Sequence, residues 1–397
     1  MQLGWIDFST TERNKVLSIL DLLSEKGTLD ELGISPIRDG FANIFFPGTS
    51  TIQTRAKYFF IIPYAMKELE TKDGINIYNF KKELDEYERK CGYKLLENNS
   101  REDGVIGKRS LNAGKWVKRA PSDIYWAGLR RYGIFTGGKL SRDEYISAAC
   151  HQNSSKRTVR SLGSTNDKND EKEQDDKRPE DIAYNSFWNI PTFNVNWCDS
   201  LSMDLAEEEA FFLKQRIIKS CPDSMLGYIL SNDQKEFMAF ESFDDITSII
   251  QSLPRRIQED YYLANNFSDF IYVATLIFNC IINEYDVDVI YDNITSSLPE
   301  LATIDLNAIY SRLYIQDRML IKFLEDLKEN MRNENIEKMM ELIKKREIWL
   351  KGEKRAKSAH PGELEPGWYG GPKLDYRFRI AKQIITDIFD GEVNSNA

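Results

Sequence analysis

A mostly α-helical chain in two parts is the fold this sequence predicts, and three observations lead to it. Apolar residues recur at three- and four-residue spacing along much of the chain, bounded by hydroxyl or acidic caps and by Gly or Pro stops. Hydrophobic residues make up 41% of the 397 positions and aromatics 12%, enough for a core with large anchors. One stretch, residues 164–181, has twelve charged positions in eighteen and no large apolar residue. Such a stretch cannot bury enough surface to offset its ordering entropy. It divides the chain into an N-terminal helical domain (1–151), a disordered charged linker (152–181) and a C-terminal helical bundle (182–397).

The N-terminal part reads as short helices and tight turns, resembling a helix-turn-helix or winged-helix scaffold in a generic way. Ser9 to Thr11 cap a first helix with Val16, Ile19, Leu20 and Leu23 on one face, and Gly27 stops it. A short helix, a turn and a second helix follow up to Pro47-Gly48. Thr49, Ser50 and Thr51 then offer caps for a helix from about Ile52, kinked by Pro63. Asn79 to Cys91 is amphipathic. Pro121-Ser122 opens a further helix that Gly133 closes, with Ile134-Phe135 and the Gly137-Gly138 turn as a small strand or wing. Ser141 and Glu144 have capping-box spacing for the next helix.

Beyond the linker, residues 182–200 are aromatic and extended in character. Asp204 and Glu207 cap a helix that places Ala206, Ala210, Leu213 and Ile217 on one side. Helices are expected at 242–252, 256–283 and 304–350. The longest apolar run, Phe270 to Ile282, contains Asn279 and is too short to span a bilayer, so it reads as a core helix. Leu306, Leu313, Leu320 and Leu327 fall at seven-residue intervals, as in a coiled coil. Ile309, Tyr310, Tyr314, Ile315 and Ile321 make the same stretch apolar nearly all round, which favours a buried bundle helix over a partner-binding one. The loop 366–372 precedes a last helix through Tyr376 to Phe389.

The five cysteines, at 91, 150, 198, 221 and 280, are odd in number and without paired spacing. That argues against a disulfide framework and a zinc site. The opening decapeptide has no basic flank or long apolar run, so a cytoplasmic location with reduced thiols is expected and no membrane association. Only His151 and His360 are present, which removes the ligands of histidine-dependent nucleases. No phosphate-binding glycine loop and no nucleophile elbow occurs, so no cofactor and no catalytic residue is assigned. Glu284, Asp286, Asp288 and Asp292 are the one acidic cluster suited to Mg²⁺, with a solvated loop as the plainer reading.

Charge is distributed unevenly. The net charge is −10, yet residues 108–160 carry twelve Lys/Arg against three acids, and residues 338–357 carry eight against three. In the first of these segments Lys115, Lys118, Arg119, Arg130 and Arg131 alternate with Trp116, Tyr125, Trp126 and Tyr132. Cations attract phosphates and flat rings stack on bases. The competing reading puts the rings in the core and the cations on a solvated face. The run FFPGTSTIQTRAK suits an anion, with hydroxyls at a helix start and Arg55 just inside; the alternative is a plain capped helix whose arginine pairs with Asp39 or Glu68. The residues assigned to nucleic-acid contact are Arg55, Lys57, Lys115, Lys118, Arg119, Trp126, Arg130 and Arg131.

The segments GWIDFS, DELGISPIRDGFANIFFPGTSTIQTRAKYFFIIPY, RAPSDIYWAGLRRYGI and LDYRFRIAKQIITDIFDG together resemble an uncharacterised bacterial family of unknown function. Its members resemble accessory genes found beside helicases and phospholipase-D-like nucleases in phage-defence clusters. The resemblance implies no established activity, only an association with such clusters. Joined to the basic, aromatic segment, it makes the leading expectation a non-enzymatic accessory protein that contacts DNA and works with a helicase or nuclease subunit. A scaffold that never touches DNA and a cryptic metal-dependent nuclease using Asp286 and Asp288 are the alternatives.

Overall fold

The computed structural model describes residues 30–98, 104–163, 186–194, 196–284, 297–361, 369 and 373–393, with backbone only for 153–163. It is mostly α. In chain order the first helices are α1 (Ser35–Phe45), α2 (Tyr58–Thr71), α3 (Phe80–Asn98), α4 (Lys108–Asn112), α5 (Pro121–Arg131) and α6 (Arg142–Gly163). Then come α7 (Glu207–Ser220), α8 (Met225–Ser231), α9 (Arg255–Asn283) and α10 (Leu298–Leu301). The last are α11 (Leu306–Leu313), α12 (Arg318–Arg332), α13 (Ile336–Lys351) and α14 (Phe378–Val393). The helix expected at residues 9–27 and the acidic positions Asp286, Asp288 and Asp292 lie outside the described residues.

Two compact units form, and neither is contiguous in sequence. One comprises Met1–Phe46 with Phe240–Phe378, the other Pro47–Ala239 with Arg379–Ala397. The division drawn from composition at 152–181 thus falls inside the second unit, and its first residues continue α6. The rest of that stretch, 164–181, is outside the described residues.

In the first unit, α9 packs on α1, α10 and α13, and α12 pairs with α13. Phe41 and Phe45 of α1 meet Tyr376 edge-on at 5.7 and 6.1 Å, and Phe243 joins them. Among the described helices α9 alone is long and apolar enough to cross a membrane, and most of its apolar stretch is buried within the fold. Asn279 interrupts that run for a local reason. Its amide donates to the Tyr369 carbonyl at 2.8 Å and accepts from the Tyr369 N–H at 2.7 Å, so both its polar ends are satisfied inside an apolar helix. The single helix expected at 304–350 is instead three helices. Tyr314 and Glu334 adopt left-handed φ of 56° and 52° and break it twice. The seven-residue leucine spacing is therefore not a continuous seam: Leu306 is buried in α11, Leu320 and Leu327 are buried in α12, and Leu313 is half-buried at the end of α11.

In the second unit α2 is the central helix, with α3, α5 and α6 against it. Pro63 lies inside it, and ten of its fourteen residues are buried. The capping box at Ser141 and Glu144 forms as read, the Ser141 N–H donating to the Glu144 carboxylate at 2.7 Å. For α7 the cap moves: Ala206 occupies the N-cap and Glu209 receives its N–H at 2.9 Å, while Asp204 stays outside. No wing is present among the described residues. Phe135 forms one isolated antiparallel bridge with Trp188, because its ring is packed among Trp126, Tyr145 and Trp188 rather than along a neighbouring strand.

Candidate nucleic-acid interface

The segment Pro47 to Lys57 forms neither a capped helix nor an anion cradle. The Gln53 side chain folds back, accepting from the Ser50 N–H at 3.1 Å and donating to the Gly48 carbonyl at 3.2 Å. The buried Tyr125 hydroxyl accepts from the N–H groups of Thr54 and Arg55 at 2.9 and 3.1 Å. Asp387 takes the Ala56 N–H at 2.7 Å. Three successive backbone donors are thus satisfied by side chains from α5 and α14. Helix α2 consequently starts at Tyr58 rather than near Ile52, and none of these three N–H groups remains for a phosphate.

Two residues assigned to nucleic acid are engaged by the same network. The Arg55 Nε lies 2.8 Å from Asp387 and its terminal nitrogen 3.2 Å from Asp204, so its partners are neither Asp39 nor Glu68. Lys57 Nζ meets Glu209 at 2.6 Å, with both side chains buried. Burial pushes the Asp387 carboxyl up to about 6, against the pull of the Arg55 guanidinium. Arg55 and Lys57 are structural cations. Trp126 is corrected as well: it is buried, packed at 4.6 Å against Phe135 and near Tyr145 and Trp188, with its indole N–H on the Leu140 carbonyl at 3.3 Å. No face of its ring is open to a base, because Ile124, Tyr125 and Leu129 turn the same side of α5 inward.

The remaining assigned cations behave differently. Lys115 and Lys118 are exposed and Arg119 is half-buried on the loop between α4 and α5. Among the described residues none of the three has a carboxylate partner, and neither does Arg109 on α4. Arg89 of α3 reaches the same loop, donating to the Gly114 carbonyl at 3.0 Å while its guanidinium lies over the Tyr93 ring. Asp123, the nearest acid in sequence, is paired with Arg142 at 2.9 Å. Trp116 stands half-buried among these cations, its indole N–H shielded from solvent and without an acceptor among the described residues. Arg130 and Arg131 lie at the other end of α5, about 16 Å away at 1.5 Å per residue. Arg130 donates to the Gly138 carbonyl at 3.3 Å, and the Arg131 Nε is buried without a partner among the described residues.

One acid behind this surface is internal. Glu88 of α3 is buried and accepts the Ser122 N–H at 2.7 Å, closing the N-terminus of α5. Burial raises its carboxyl to about 8, against the Ser122 hydrogen bonds and the Arg142 charge. In the second basic segment, 338–357, three of the eight cations are paired with carboxylates. Lys345 pairs with Glu341, Lys351 with Glu347 and Glu31, and Lys357 with Glu31.

Sequence reasoning missed Arg89, which sits in a helix whose acids and cations balance, and passed over Arg109, whose place in the 108–160 segment was the available signal. No group of three or more His, Cys, Asp or Glu side chains assembles a metal site among the described residues.

A family model described as a family of unknown function (DUF6361) matches residues 1–304. The chain belongs to this family. The match includes the Pro47–Lys57 segment and the whole basic loop, and it ends before α11; the closing segment with Asp387 lies beyond it. No curated protein and no solved structure matches the chain.

Proposed function

We propose that this DUF6361 protein contacts nucleic acid through the loop between α4 and α5, as a cytoplasmic, non-enzymatic accessory component of a DNA-processing or phage-defence system. The observation that supports this is selective pairing. In a chain of net charge −10, Arg55, Lys57 and Arg142 are tied to carboxylates, whereas Arg89, Arg109, Lys115, Lys118 and Arg119 surround one loop with none among the described residues. An acidic protein that leaves these cations without counter-charges has a surface matched to a polyanion. A helicase or nuclease subunit is the class of partner such an accessory protein would serve.

The test is binding of the purified protein to fluorescent single- and double-stranded DNA at several salt concentrations. A Lys115→Ala, Lys118→Ala, Arg119→Ala triple variant should flatten the log–log salt slope for duplex DNA by about 2–3, at roughly 0.9 per lost phosphate contact. An unchanged slope in a folded triple variant overturns the assignment. The scaffold reading draws on a different feature, the 73–79 turn. Asn76 and Asn79 hydrogen bonds brace it, and it presents Ile77 and Tyr78, the latter 95% exposed, as a protein-docking tip. Absence of DNA binding at low salt favours that reading.

A further inference from the structure

Cys91 and Cys198 are 107 positions apart in sequence, yet their sulfur atoms lie 3.7 Å from each other. Cys91 is on α3 and Cys198 is in the turn at 196–200; both are buried. The turn is held on both sides of Cys198. Before it, the Trp197 indole N–H donates to Glu68 at 2.7 Å and its ring stacks on Tyr87. After it, the Asn98 side chain donates to the carbonyls of Asp199 and Leu201 at 3.3 and 3.1 Å. Four contacts from α2 and α3 therefore hold the turn against α3 and keep the two sulfurs adjacent, which favours reaction between them over reaction with outside thiols.

We infer that Cys91 and Cys198 are a redox pair that closes to a disulfide on reaction with a hydroperoxide. This is independent of the nucleic-acid reading. Cys198 is the attacking residue: its neighbours Asp199 and Ser200 are exposed, so its turn lies at the surface. The hydrogen bond from the Cys91 thiol, helped by the Lys90 charge, pulls the Cys198 thiol down to about 7 against its burial. Cys91 is pushed up by that same hydrogen bond to Cys198 and then by its burial in α3, and serves as the resolving thiol.

In the first step the Cys198 thiolate attacks a peroxide oxygen. The O–O bond breaks, leaving a sulfenic acid on Cys198 and hydroxide that is protonated to water. In the second step the Cys91 sulfur loses its proton and attacks the Cys198 sulfur; the S–O bond breaks and the departing hydroxide takes the proton as water. Two thiols lose two electrons in total and one hydrogen peroxide becomes two waters. The sulfurs must close by about 1.7 Å to reach the S–S bond length of about 2.05 Å, which rotation about the two Cα–Cβ bonds can supply without moving the turn.

The other cysteines are internal controls. Burial pushes the thiols of Cys150 and Cys280 up, away from the reactive thiolate, and Cys221 contacts the Ser220 hydroxyl. The experiment treats the reduced full-length protein with hydrogen peroxide, then alkylates it under denaturing conditions and maps peptides by mass spectrometry. Of five thiols, three should remain alkylatable, with one linked peptide joining Cys91 to Cys198, and dithiothreitol should restore all five. In a Cys91→Ser variant the sulfenic acid on Cys198 should persist and be captured by dimedone. Five alkylatable thiols after oxidation of folded protein, a linkage to another cysteine, or dimedone capture elsewhere overturns the pair.

Discussion

Replacing Glu88 by glutamine isolates one buried carboxyl whose charge opposes folding at neutral and higher pH. Glu88 is 2% exposed and carries a carboxyl raised from 4.5 to about 8 because burial penalises its anion more than Ser122 and Arg142 favour it. The folded chain therefore holds a proton that the unfolded chain releases. Stability from this group is fully present below about pH 4.5, falls as pH rises through the window from 4.5 to 8, and is lost above it. At about 1.4 kcal/mol per unit, the loss across the window is roughly 4–5 kcal/mol. In Glu88→Gln the new carboxamide keeps an oxygen to accept the Ser122 N–H, places an N–H₂ toward the Ser122 hydroxyl, and cannot ionise. The variant should match the native protein at pH 5 and exceed it at pH 8.5, by about 10 °C at 2–4 °C per kcal/mol for a unit of this size. Thermal unfolding followed by circular dichroism at the two pH values measures this. A difference in Tm that does not change with pH, or a variant less stable at both values, refutes the argument.

Other substitutions test the remaining structural assignments. Asp387→Ala strands the Arg55 guanidinium and the Ala56 N–H together, and should cost about 3–5 kcal/mol in urea unfolding; a loss under about 1 kcal/mol, the range of a surface pair, would show that the network is not stabilising. Trp126→Ala should cost about 3–5 kcal/mol through its cavity, yet DNA affinity per folded molecule should be unchanged. A selective loss of affinity would return Trp126 to the interface. Gly128→Ala sets a methyl 2.6 Å from the Gly48 carbonyl oxygen and 2.8 Å from the Phe59 ring. Overpacking of that kind costs about 1–3 kcal/mol, and an unchanged Tm contradicts the close approach of α5 to the Pro47–Lys57 segment.

Much of the fold was legible because it depends on neighbours in sequence. Helical periodicity located α9 and α5 to within a residue or two, the Ser141 capping box formed as read, and Asn279 marked a real interruption of an apolar run. Elements failed where a distant side chain intervened. Thr49 to Thr51 have the chemistry of caps, but the hydroxyl of Tyr125 and the carboxylate of Asp387 claimed the donors that a helix would have used. The leucine heptad passed across Tyr314, and the single helix expected at 304–350 across Glu334 as well, and no spacing rule detects the left-handed backbone at either.

For the candidate site the same distinction holds. The sequence by itself determined that the chain is mostly helical and that a basic, aromatic segment lies within an acidic whole, because periodicity and local charge are properties of adjacent residues. Only the tertiary structure decided which cations keep their charge available. Arg55 is neutralised by an aspartate 332 positions away and Lys57 by a glutamate 152 positions away, whereas Lys115, Lys118 and Arg119 meet no carboxylate among the described residues. It likewise turned Trp126 into the core and set Cys91 against Cys198. Ion pairing, burial and thiol proximity depend on distances of a few ångströms between residues far apart in the chain, and chain folding alone sets those distances.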